Sequence, residues 1–183
     1  MFKNCTLAFF LLNKIAMRIY LILFIVVFSS AAMAQDIKPQ NKDLTRINVI
    51  NNVMDQWHKA AANADFEAFF ACMDGDGYYI GTDESEKWTI KEFKAFCKPY
   101  FDRGSAWDFK PFDRGVYFNK KKNIAWIDEK LDTWMGVCRS SGVLIKTKDG
   151  WKIKHYQLSV TVPNDIVRDF IQLVNQYKTK QTK

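Results

Sequence analysis

The stretch GWKIKHYQLSV, Gly150 to Val160, reads as a single extended strand, and the fold is argued outward from it. A period of two puts Trp151, Ile153, His155, Gln157 and Ser159 on one face, passing from apolar to polar along its length. Three earlier stretches share that period: Trp107 to Phe118, Asn123 to Trp134 and Gly136 to Thr147. The segments NKKKN and KDG between them carry turn chemistry, and Pro163 ends the last strand. Four long strands joined by tight turns predict a strongly curved antiparallel sheet.

Upstream the period changes. Ile47, Ile50, Met54, Trp57 and Ala61 recur at helical spacing, which predicts a helix over Leu44 to Asn63 with Asp43 as its N-cap. ADFEAFFACM reads as a short second helix capped by Asp65. The DGDG of Asp74 to Gly77 reads as a turn, since it lacks the later ligands and closing glutamate of a calcium loop. Tyr78 to Ile80 is a short strand ending at Gly81. A third helix is expected over Thr89 to Arg103, bent or shortened by Pro99 and stopped by Gly104. After the strands, PNDIVRDFIQLVNQY predicts a terminal helix. Helices segregated from strands give an α+β fold, in which three helices cover one face of a bent sheet around a cone-shaped hollow.

The N-terminus reads as an address. Arg18 precedes an apolar run from Ile19 to Phe28, and Ala32-Met33-Ala34 fits a cleavage site before Gln35. The run is short for a membrane span. A signal peptide over 1–34, with Met17 as an alternative start, predicts a secreted or periplasmic protein with no stable membrane insertion afterwards. Losing Lys3, Lys14 and Arg18 with no acid lowers the formal charge from +7 to +4. The remaining lysine runs are not interleaved with aromatics, which argues against nucleic acid. Cys72, Cys97 and Cys138 match no zinc spacing, Cys97 reads as a buried thiol, and the two histidines lie far apart, so no metal or other cofactor is expected.

The stretches DQWHKAAANADFEAFFACM, GTDESEKW, PYFDRGSAWDFKP, AWIDEKLDTW, RSSGVL and GWKIKHYQLSVTVPN, in that order and spacing, resemble the SnoaL-like branch of the nuclear transport factor 2-like superfamily. The resemblance implies a cone-shaped curved sheet covered by N-terminal helices, a pocket between them, and a homodimer formed through the sheet. It fixes no reaction, because relatives include isomerases, dehydratases and hydrolases as well as proteins without known activity. On this reading the chain comprises a flexible leader over 35–43, the SnoaL-like domain over 44–163, and a C-terminal helix with a lysine-rich tail over 164–183. Many members carry histidine where this chain has Gln157, two residues before Ser159.

The expected pocket takes Trp57, Tyr79, Trp88, Trp107 and Trp126 as apolar walls for a small, partly apolar molecule, and His155, Gln157 and Ser159 as polar lining. The same three could instead bond neighbouring strands or water at the mouth. Adjacent carboxylates Asp128 and Glu129 point to opposite faces, and Glu129 shares phase with Ala125, Ile127 and Leu131, making it the better inward candidate. Two readings stand for the pair: Glu129 or Asp128 as a base acting with His155 in a cofactor-independent isomerase, dehydratase or hydrolase, or an ion pair of the inward carboxylate with Arg139 that keeps it ionised for binding. Asp113 and Arg114 read as a surface or edge pair, Asp83 as a loop cap, and His58 as a satisfied helix histidine. A third reading makes the protein a dimeric interaction module with a vestigial pocket.

Overall fold

The computed structural model describes residues 37–181, with side chains from residue 42 onward. The expected signal peptide, the alternative start at Met17, the first two leader residues and the last two residues of the tail lie outside the described residues. The chain forms two units, up to Arg46 and from Ile47 onward. Helix α1 (Ile37–Ala62) starts seven residues before the predicted Leu44, so the described part of the 35–43 leader is helical, not loose. Pro39 falls in the first turn, where a missing N–H forfeits no helical bond. In the first unit, Arg46 pairs with Asp43 at 2.7 Å.

In the second unit, Ile50, Met54, Trp57, Ala60 and Ala61 form the buried stripe of α1. Asp65 caps α2 (Phe66–Ala71) by accepting from the Ala68 amide at 3.0 Å. Thr89 and Glu92 form a capping box at the start of α3 (Ile90–Asp102), a device contributing about 1 kcal/mol. Pro99 lies inside that helix, which continues to Asp102, and Gly104, at φ 72°, donates its N–H to the Phe101 carbonyl just beyond the end.

The strands are β1 (Met73–Ile80), β2 (Lys87–Thr89), β3 (Lys110–Phe118), β4 (Ile124–Thr133), β5 (Gly136–Thr147) and β6 (Gly150–Val160). They form one mixed, curved sheet in the order β2-β1-β6-β5-β4-β3, with only the β1–β6 pair parallel. The short β2 was not anticipated from sequence. Nor is DGDG a turn: it lies within β1, whose register slips between Met73 and Tyr78, and Lys154 of β6 holds Asp74 and Asp76 at 3.3 and 3.0 Å. A Cβ on Gly77 would stand 2.8 Å from the Lys154 carbonyl, so only glycine lets the two strands approach there. A 3-10 turn (Asn164–Ile166) leads into α4 (Val167–Gln181), none of whose side chains is buried.

The β4–β5 ladder runs without interruption from Ile124↔Ile145 to Thr133↔Gly136. Two neighbouring ladders do not. In β6 an extra residue stands between Ile153, opposite Leu144, and His155, opposite Val143. In β3 the partners pass from Phe112↔Lys130 to Gly115↔Asp128, leaving Asp113 and Arg114 against the single residue Glu129. Asp113 absorbs that insertion in the left-handed region, at φ 52°.

Candidate functional site

The two β-bulges decide which side chains face the helices. In β6, Ile153 points inward, the bulge consumes one residue, and Tyr156 and Leu158 then take the inward positions. Strict alternation from Trp151 therefore fails after Ile153. His155, Gln157 and Ser159 lie on the opposite face from Tyr156 and do not line the cavity, because a one-residue insertion reverses every later side chain. In β3 the bulge carries Arg114 inward opposite Glu129, while Asp113 stays outside and pairs with Lys130 at 2.8 Å. The expected Asp113–Arg114 surface pair does not form.

Glu129 is fully buried, as its phase with Ala125, Ile127 and Leu131 requires, and Asp128 faces the other way. Its partner is Arg114, not Arg139: Arg114 Nε donates to Oε2 at 2.7 Å, whereas Arg139 is exposed on the outer face beside Lys130 and Ser159. Arg114 Nη1 also donates to Asp55 at 2.8 Å and to the Asn51 carbonyl at 3.2 Å, tying β3 to α1. Oε1 lies 2.9 Å from His58 Nε2 and 2.9 Å from the Tyr156 hydroxyl, with Ser140 Oγ 2.7 Å from that same hydroxyl. Ser140 Oγ also lies 3.3 Å from Oε1; each hydroxyl has one proton, so one of the two donates to the carboxylate and the other to its neighbour's oxygen.

Burial pushes the Glu129 pKa up, but the His58 bond and charge together with the Arg114 guanidinium outweigh it and hold the carboxyl at about 2. Glu129 is thus an ionised anchor at neutral pH, and the base role expected of it does not suit it. Burial and the Glu129 charge raise the Tyr156 hydroxyl well above the ordinary tyrosine range, so it stays protonated and donates. His58, Arg114, Tyr156 and Ser140 were not singled out as site residues. His58 carried a faint signal, lying four residues after Met54 on the edge of the buried stripe; Arg114 and Tyr156 carried none, since their orientation follows from the bulges.

Beyond this network, between α3 and the sheet, opens a cavity of about 420 Å³. Tyr79, Trp88, Phe93, Phe96 and Trp107 give it aromatic walls, and Glu86 and Arg103 stand among its polar residues. Tyr79 stacks on Phe93 at 4.0 Å and Trp88 on Phe96 at 4.5 Å. A smaller void, lined by Trp57, His58 and Tyr156 among others, lies on the network's side. Trp126 is not part of either: it is 44% exposed on the outer face and stacks on Tyr117. Asp83 accepts from the Ser85 amide at 2.9 Å and serves its loop. Among the described residues no group of three or more His, Cys, Asp or Glu could hold a metal ion, and Cys72, Cys97 and Cys138 are free thiols.

The fold recurs in solved structures. A Mycobacterium tuberculosis protein of unknown function superposes with a TM-score of 0.58 at 13% identity, covering 72% of this chain and 80% of its own. A Streptomyces avermitilis protein of the nuclear transport factor 2-like family, named as a candidate dehydratase, gives 0.57 at 14% identity over 65% and 98%. A nuclear transport factor 2-like protein of unknown function from Pseudomonas putida KT2440 gives 0.53 at 12% identity over 63% and 86%. Such identities speak for the fold alone. No curated protein matches the chain significantly in sequence. Residues 50–163 match the SnoaL-like domain, and with the cone of helices on a curved sheet this places the chain in the SnoaL-like family of the nuclear transport factor 2-like superfamily.

Proposed function

We propose that the protein binds a small, flat, partly apolar molecule in the cavity between α3 and the sheet. The observation that carries this is the cavity itself: about 420 Å³, within the range of small-ligand sites, walled by stacked aromatic rings with a few polar groups. A thermal-shift screen of aromatic compounds on the full chain, repeated on Ala106→Trp, tests it. Ligands should raise the wild-type melting temperature by mass action and lose that effect when the indole fills the space. No shift in the wild type would remove the reading.

A second, catalytic reading is favoured by one specific observation. Glu129 holds His58 Nε2 at 2.9 Å, and among the described residues no hydrogen-bond partner meets Nδ1. An imidazole oriented by an ionised carboxylate can take and return a proton, supporting isomerisation, dehydration or hydrolysis without a cofactor. The Streptomyces relative's name adds a general precedent. Here His58 replaces the expected His155, and Glu129 positions it. A screened ligand recovered chemically changed, with the change stopped by His58→Gln, would establish this reading; recovery unchanged leaves binding alone.

The same reading places the protein outside the cytoplasm, supported by the Ile19–Phe28 run and the Ala32-Met33-Ala34 site. Among the described residues no helix is long and apolar enough to cross a membrane. Pairing of two copies through the sheet is supported by the outward row Tyr117, Trp126, Val143, His155 and Tyr78, aligned across five strands. Sedimentation of the wild type and Trp126→Asp should show a dimer becoming a monomer.

A further inference from the structure

The loop joining β1 to β2 forms one side of the larger cavity, to which it contributes Gly81, Thr82 and Glu86. It is held shut at its base. The Gly81 N–H donates to the Glu86 carbonyl at 2.8 Å, and the Asp83 N–H donates to Glu86 Oε2 at 3.2 Å. A Cβ on Gly81 would collide with that same oxygen, so the carboxylate head itself lies against a residue of the cavity lining. Glu86 is half-buried there.

The other oxygen of that carboxylate is unclaimed. Among the described residues no side chain or amide donates to Glu86 Oε1 and no basic side chain pairs with Glu86, whereas its neighbour Glu84 is taken by Lys178 at 2.8 Å. Nor is Oε1 sealed off: the buried polar atoms without a partner are Trp57 Nε1 and Arg114 Nη2. The charge also reaches inward, since burial raises the Tyr79 hydroxyl above the ordinary tyrosine range and the Glu86 charge adds to that rise. Arg103 is the opposing charge in the lining, but it is exposed at the end of α3, where solvent and salt screen it, and its guanidinium lies over the Tyr100 ring at 4.9 Å. A carboxylate beside apolar aromatic walls is screened far less, and it favours a cation that brings its own N–H donors. A hydroxyl supplies a donor without the charge, and an acid is repelled.

We propose that Glu86 is an ammonium-binding group and that the ligand is an aromatic amine, its flat body against the aromatic walls and its charged nitrogen on Oε1. This rests on the cavity-binding reading above and names its ligand class. The experiment is calorimetric titration of the full chain, at neutral pH, with three compounds of one shape: 2-naphthylmethylamine, 2-naphthalenemethanol and 2-naphthoate. The wild type should bind the amine at least about ten-fold more tightly than the alcohol, and the acid most weakly. Glu86→Gln keeps an acceptor for the Asp83 amide but removes the charge, and should bring amine and alcohol within about three-fold while the alcohol's own affinity holds. A wild type that prefers the alcohol, or binds the two equally, overturns the ammonium site and leaves the cavity reading standing. So does a preference for the acid, which would give the field to Arg103, and so does an amine-to-alcohol ratio unchanged in Glu86→Gln. A wild type that binds none of the three overturns both readings. If Glu86→Gln does not fold, judged by circular dichroism, the wild-type order of the three compounds decides alone.

Discussion

The β4–β5 ladder and the two strands just beyond it, β3 and β6, contribute to the same buried cluster by different means. β4 and β5 keep perfect register, and alternation alone delivers Glu129 and Ser140 to the interior. β3 and β6 each spend an extra residue, and those bulges turn Arg114 and Tyr156 inward while sending Asp113 and His155 out. Regular pairing supplies the acid; irregular pairing supplies its partners. A buried carboxylate alone would be costly, and the bulged strands are what make it tolerable.

The largest expected effect comes from separating the two contributions. Arg114→Leu leaves Glu129 buried without its cation, and should cost roughly 3–5 kcal/mol in denaturant unfolding. Arg139→Leu, on the exposed outer face of the regular strand, should change stability by less than about 0.5 kcal/mol. Equal effects would mean that the bulge in β3 does not place the arginine as described. A smaller loss is expected at β6: Tyr156→Phe removes the hydroxyl that Glu129 and Ser140 share, worth about 1–2 kcal/mol, while His155→Ala should be near neutral. The smallest effect is a gain. Asp113→Gly relieves a left-handed aspartate at φ 52° and loses only an exposed pair with Lys130, so thermal unfolding should shift upward by under about 1 kcal/mol.

The same contrast explains what could be read in advance. The helical stripes, the cap at Asp65, the four-strand meander and the inward phase of Glu129 all follow from local periodicity and short-range capping, whereas the cap expected at Asp43 falls inside a helix that starts at Ile37. The polar partners do not. GWKIKHYQLSV contains no glycine or proline near Lys154 to mark its bulge, so strict alternation there selects His155, Gln157 and Ser159 and passes over Tyr156. That bulge is fixed by a distant pairing, with Lys154 reaching Asp74 and Asp76 on β1. The same cause makes Arg114 read as an edge partner of Asp113, and the residue that satisfies His58 lies 71 positions away. Register between strands is a tertiary property, and a single extra residue in it exchanges the two faces of a strand.

The most direct test is an NMR titration of the Glu129 side-chain carboxyl, assigned by comparison with Glu129→Gln. The folded-state pKa lies below the 4.5 of a free glutamate, so the ionised group contributes stability above that pH and loses it as the pH falls through about 2. The account predicts that Glu129 remains ionised through pH 4.5 and titrates only near 2, and that Glu129→Gln loses this part of the acid dependence of unfolding. A carboxyl that takes up its proton at pH 4.5 or above would contradict the ionised anchor, and with it the placement of Arg114 and His58 around it.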